Sequence, residues 1–138
     1  MIGKRQAAQA LTCAIFLSLV GGVSFAEDDA ALCMEAEERY QEMFGAPSSE
    51  ISEARVVLMY EYRFCPAQIT VPVGTTVRWV NVDKRTSHSV IVPNEPESDR
   101  AFPEEWVEFT FEIPGPVDYL CGPHWERREM IGSITVEP

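Results

Sequence analysis

Basic side chains are scarce in this chain: 11 lysines and arginines stand against 22 aspartates and glutamates, for a formal net charge of −11. Binding a phosphate backbone needs clustered cations, so free nucleic acid is excluded as a partner. No segment repeats, which excludes solenoids and propellers. No apolar run reaches the roughly 20 residues that a membrane span needs. The longest, Ala7 to Val20, is interrupted by Gln9, Thr12 and Ser18. Histidine is rarer still, with two in 138 residues, beside four cysteines. The whole chain is 46% hydrophobic and 24% charged, a globular composition whose length suits one domain, or one domain plus an appendage.

That apolar run has the setting of a leader. Lys4 and Arg5 precede it, Ser24-Phe25-Ala26 closes it with a small-x-small ending, and Glu27-Asp28-Asp29 follows. The layout predicts a secretory signal peptide over residues 1–26, export to the periplasm, and a mature form with no membrane span. Cleavage removes two basic residues and Cys13, leaving 9 basic against 22 acidic side chains (9 − 22 = −13) and three cysteines. An exported chain can form disulfides, and three is odd, so at least one thiol is free or bound to something.

Residues 27–54 read as a helix and a linker. The helix is expected over 29–44, capped by Asp28 or Asp29 and stopped by Gly45 and Pro47, with Leu32, Ala36, Tyr40 and Met43/Phe44 on one stripe. From Arg55 the pattern changes to short strands, expected at 56–63, 68–73, 75–81, 87–92, 105–113, 117–121 and 132–137. In 105–113, Val107, Phe109, Phe111 and Ile113 alternate with Glu108, Thr110 and Glu112. Pro93 to Glu104 reads as an irregular crossing loop. Short strands punctuated by proline and glycine predict a β-sandwich over 55–138.

The chemistry-bearing residues crowd one loop. Cys121, His124 and Met130 lie within ten residues between two expected strands, and the other histidine, His88, opens a strand upstream. Two imidazoles and a thiolate with a weak axial thioether form the blue-copper donor set. Zinc is a poor rival, since it prefers a fourth strong ligand and cannot change oxidation state.

The surroundings carry more weight than the donors alone. Tyr119-Leu120-Cys121-Gly122-Pro123-His124, followed by Met130-Ile131-Gly132-Ser133-Ile134-Thr135-Val136, resembles the copper loop and last strand of the cupredoxins, in particular the plastocyanin, pseudoazurin and amicyanin group. The run from Phe64-Cys65-Pro66 through Gly74-Thr75-Thr76-Val77-Arg78-Trp79-Val80-Asn81 resembles the strand pair of the same family. The resemblance, over roughly residues 56–138, implies a Greek-key sandwich of seven to eight strands, to which the expected helix adds a short N-terminal extension. It also implies one type 1 copper ion on His88, Cys121 and His124, with Met130 axial. Two departures stand out. The interval from His124 to Met130 is one residue longer than in plastocyanin, placing Glu129 where that spacing puts the methionine. Ser89 occupies the position where the family usually has an asparagine that ties the ligand loops together.

With Cys121 on the metal, Cys33 and Cys65 are left as a candidate disulfide pinning the helix to the sandwich. In the family pattern the C-terminal histidine is the electron port, here His124 flanked by Pro123 and Trp125. The implied role is a monomeric, non-enzymatic one-electron carrier in the periplasm. Its partners would be redox proteins, a c-type cytochrome or a periplasmic oxidoreductase, steered by the acidic surface. The alternative role is copper buffering, tolerance or delivery. Such proteins often carry Met/His-rich segments, whereas the N-terminal region here has Met34, Met43 and Met59 without histidine or tight clustering.

Overall fold

A computed structural model of the protein describes residues 25–138. The expected leader therefore lies outside the described residues, apart from its last two positions. Helix α1 runs Phe25–Phe44, and a 3₁₀ turn follows at Ser48–Glu50. Seven strands come next: β1 Arg55–Tyr60, β2 Arg63–Cys65, β3 Gln68–Pro72, β4 Thr75–Asn81, β5 Trp106–Phe111, β6 Gly115–Leu120 and β7 Ile131–Glu137. A one-turn helix, α2, occupies Trp125–Arg128 between β6 and β7. No helix among the described residues is long and apolar enough to cross a membrane.

The strands form two sheets, ordered β2-β1-β4-β5 and β3-β7-β6. Parallel pairing of β1 with β4 and of β3 with β7 gives each sheet one parallel seam among antiparallel ones. The inter-sheet core holds Val57, Met59, Phe64, Val77, Trp79, Tyr119, Ile134 and Val136. Trp79 and Phe64 both meet Tyr119 edge-on, at ring separations of 5.2 and 4.7 Å. Such aromatic pairs fill the space between the sheets beneath the loops that carry the chemistry.

Helix α1 covers the outer face of the four-stranded sheet. Its stripe of Leu32, Ala36, Tyr40 and Met43 packs on Val56, Leu58, Tyr60, Val80 and Val82, while Phe44, expected in the stripe, is 39% exposed. Gly45 ends the helix in the left-handed region (φ 80°), and its N–H donates to the Gln41 carbonyl at 2.8 Å, a glycine stop of the usual kind. Cys33 is disulfide-bonded to Cys65, joining α1 to β2.

Four expectations need correction. The helix starts at Phe25, so Asp28 and Asp29 lie inside it and do not cap it; Asp29 instead pairs with Arg63. The expected strand 56–63 is two strands, broken by a turn at Glu61 and Tyr62, both with positive φ. Residues 87–92 make only isolated bridges, His88 to Ala101 and Ile91 to Leu120, their backbone bonds being divided between the crossing loop and the end of β6. The strand expected at 105–113 ends at Phe111, leaving Ile113 80% exposed.

Candidate metal centre

His88 is delivered by a loop that Asn81 gathers. The buried Asn81 amide donates to the carbonyls of Thr86 (2.7 Å) and Ala101 (2.9 Å), and its oxygen accepts the Asp83 N–H at 2.9 Å. Two backbone bonds then clamp His88 to Ala101 on the crossing loop, at 3.1 and 2.8 Å. The His88 ring is fully buried, with Nε2 2.5 Å from the Asp83 carboxylate and Nδ1 3.7 Å from the Cys121 sulfur. A carboxylate on the far nitrogen fixes both ring orientation and tautomer, leaving Nδ1 free to donate its lone pair.

The second loop folds on itself. Cys121 N–H donates to the Met130 carbonyl at 3.0 Å, closing the neck of the loop. The His124 and Trp125 N–H groups donate back to the Cys121 carbonyl, starting the single turn of α2. Glu129, in the left-handed region (φ 52°) and exposed, reverses the chain so that Met130 turns inward and is fully buried. The residue in excess of plastocyanin spacing is thus taken up by a helical turn and its stop. Glu129 caps that turn on the surface, and the methionine keeps the inward place.

One ligand atom each from His88, Cys121 and His124 lies within 4.8 Å of the others. His124 Nδ1 is 3.4 Å from the Cys121 sulfur, and the two imidazoles meet edge-on at 5.1 Å. Cys121 is the free cysteine among the described residues. Its burial pushes the thiol pKa up, while N–H groups of Ser89 and His124 aimed at the sulfur and the charge of Arg100 favour the thiolate. Burial pulls the His124 pKa down, with His88, Arg100 and Arg128 acting in the same direction. Neutral imidazole is the ligating form, so that shift suits metal binding. The donor set, one thiol sulfur and two imidazole Nδ1 atoms beside a buried thioether residue, fits a soft ion such as copper.

The family's asparagine has a substitute. Ser89 Oγ accepts the Gly122 N–H at 3.2 Å and donates to the Glu97 carboxylate, tying both ligand loops to the crossing loop. A Cβ at Gly122 would fall 2.8 Å from Ser89 Oγ and closer still to Glu97, so a larger residue there would push these two side chains aside. Around His124, which is half-buried, Pro123 is exposed and Trp125 is 44% exposed. The sequence reading missed Asn81, Asp83, Glu97 and Tyr62. An acid five residues before a candidate ligand was a usable signal for Asp83, whereas nothing local marks Tyr62.

No family model matches the chain. It is 39% identical over 83 residues to the halocyanin of Natronomonas pharaonis, a match covering 55% of this chain and 49% of that protein. The chain thus spans about half the length of that curated relative. Among solved structures, a reduced single-substitution mutant of amicyanin superposes with a TM-score of 0.56 at 26% identity, covering 64% of this chain and 88% of that one. The reduced Cu(I) form of a second amicyanin mutant matches at 27% identity over the same shares, also with a TM-score of 0.56.

Proposed function

We propose that this chain, a member of the cupredoxin family, carries single electrons between redox proteins on one type 1 copper ion. The observation that carries the reading is the convergence of one buried thiol and two imidazole nitrogens at a single point. His88, Cys121 and His124 are the strong donors, and Met130, buried against the same loop, is the axial one. Copper held there would supply one-electron exchange, thiolate and thioether suiting Cu(I) and imidazole both oxidation states.

The protein's own part is to hold these groups still and dry. Asp83 fixes the His88 ring, the Cys121–Met130 backbone bond fixes the loop neck, and the Ser89–Glu97 pair joins the two loops. A scaffold that moves little keeps the reorganisation cost of electron transfer low. Loading must displace the Cys121 proton, so affinity falls as pH falls. His88, Cys121 and Met130 are fully buried, and His124 alone among the donors reaches the surface. His124, with Pro123 and Trp125 beside it, is therefore the electron port, and its small partly apolar face suits a partner that must leave quickly.

The working compartment in this reading is the periplasm, which the Cys33–Cys65 disulfide supports because such bonds persist in oxidising surroundings. The partners are a c-type cytochrome or a periplasmic oxidoreductase. Copper buffering is the weaker reading: Met59 is fully buried and Met43 half-buried, leaving only Met34 of that group exposed. Titration of the metal-free protein with Cu(II), followed by absorption and EPR, tests the proposal. One equivalent should raise an intense sulfur-to-copper band that Cys121→Ser abolishes, and Met130→Gln should alter both spectra. A band that survives Cys121→Ser would overturn the assignment of the site.

A further inference from the structure

We propose that Tyr62 is a positioning residue for His124: its ring, braced from outside by Arg128, holds the surface-reaching imidazole in one orientation. The inference rests on the copper reading only for its second test. Tyr62 occupies the second place of the two-residue turn between β1 and β2, where Glu61 and Tyr62 have φ of 47° and 62°. Turns of that type favour Asn-Gly, and a bulky residue with positive φ is an outlier. The backbone has no use for tyrosine there, and such outliers gather at functional sites.

The ring accounts for it. It stands edge-on to His124 at 4.9 Å with an interplanar angle of 77°, and to His88 at 6.4 Å. His88 is already fixed by Asp83 and by its bonds to Ala101. The His124 side chain, by contrast, has no hydrogen bond among the described residues beyond the approach of Nδ1 to the Cys121 sulfur. Aromatic contact is therefore what limits its swing.

Tyr62 is held in turn. The Arg128 guanidinium lies 4.5 Å over its ring, within cation–π range. Arg63 Nη1 donates to the carbonyls of both Tyr62 (3.0 Å) and Arg128 (3.1 Å), stitching the turn to the ligand loop. The Glu61 N–H donates to Asp83 at 3.2 Å, so the same hairpin tip steadies the partner of His88.

The first test needs no metal. In the metal-free protein, NMR should show His124 ring protons displaced by the Tyr62 ring current, with cross-peaks between the two rings. Tyr62→Phe should keep both signals, and Tyr62→Gly, which suits the left-handed turn, should lose them while the disulfide and circular dichroism stay intact. In the copper-loaded protein, Tyr62→Gly should shift the reduction potential and EPR parameters and lower copper affinity by about tenfold, with Tyr62→Phe close to the parent. Arg128→Ala changes no residue of the hairpin, removing only the brace on Tyr62, and should move the same signals in the same direction by less. Unchanged His124 signals in Tyr62→Gly, or a Tyr62→Phe that behaves like the glycine variant, would overturn the proposal. Clear NMR effects without copper uptake would uphold the clamp and reject the copper reading instead.

Discussion

The two faces of the four-stranded sheet are covered by different means. Facing inward, Val57, Met59, Val77 and Trp79 meet residues of the opposite sheet such as Ile69, Val71 and Ile134, and the metal centre caps that interior at one end. Facing outward, Val56, Leu58, Tyr60 and Val80 meet a single helix. The inner face is closed by the sheets themselves. The outer face depends on a cover that adds a disulfide, the Tyr60–Glu35 hydrogen bond and a bond from Arg39 to the Val82 carbonyl. The fold's chemistry and its cover are thus separable, with β1 as the shared wall: five of its six residues are buried, whereas β3 alternates buried and exposed.

Neighbouring substitutions in β1 break the comparison most strongly. Met59→Ala and Leu58→Ala each remove a buried side chain and should each cost about 2–5 kcal/mol in denaturant unfolding. Hydrogen exchange tells them apart. Leu58→Ala should speed exchange in α1 while leaving the copper spectrum alone, and Met59→Ala should spare α1 and disturb the site. Next in size, replacing Cys33 and Cys65 by serine opens a loop spanning 32 positions and should cost about 3–4 kcal/mol in the chain-entropy model. The copper spectrum should persist in that variant, with α1 becoming the first element lost on heating.

A further effect is the alkaline pH dependence that Tyr60 gives the cover. Burial, and then the hydrogen bond to Glu35, raises the Tyr60 pKa from 10 to about 12. A phenol whose folded pKa is raised contributes stability that is intact below pH 10 and is lost as pH rises through about 12. Unfolding free energy should therefore fall across that window, and Tyr60→Phe should lessen the slope, the buried phenols of Tyr119 and Tyr40, also raised, supplying the rest.

Legibility in the sequence followed the same division. The alternation of β3 and the Val107–Phe111 stretch was readable because one face of each meets the core. The metal donors were readable chiefly because the Tyr119–His124 and Met130–Val136 runs resemble the cupredoxin copper loop and last strand; two histidines and a spare cysteine alone are a weak signal. The β1–β2 turn was hidden, since Glu61 and Tyr62 are not turn formers and the strand-like run passes straight through them. The segment around His88 looked like a strand, being rich in β-branched residues. Its backbone instead spends its hydrogen bonds on Ala101 and Leu120, fixing a ligand rather than a ladder. Glu97 acts through a contact to Ser89 that no local pattern announces, whereas Asp83 lies only five residues from its partner His88.

Strand β7 has a consequence for timing. It lies between β3 and β6, and it follows directly on the loop that carries three of the four donors. Until residues 121–137 have folded, β3 and β6 have no common neighbour and His88 has no donors to join. Assembly of the donor set therefore waits on the folding of that segment.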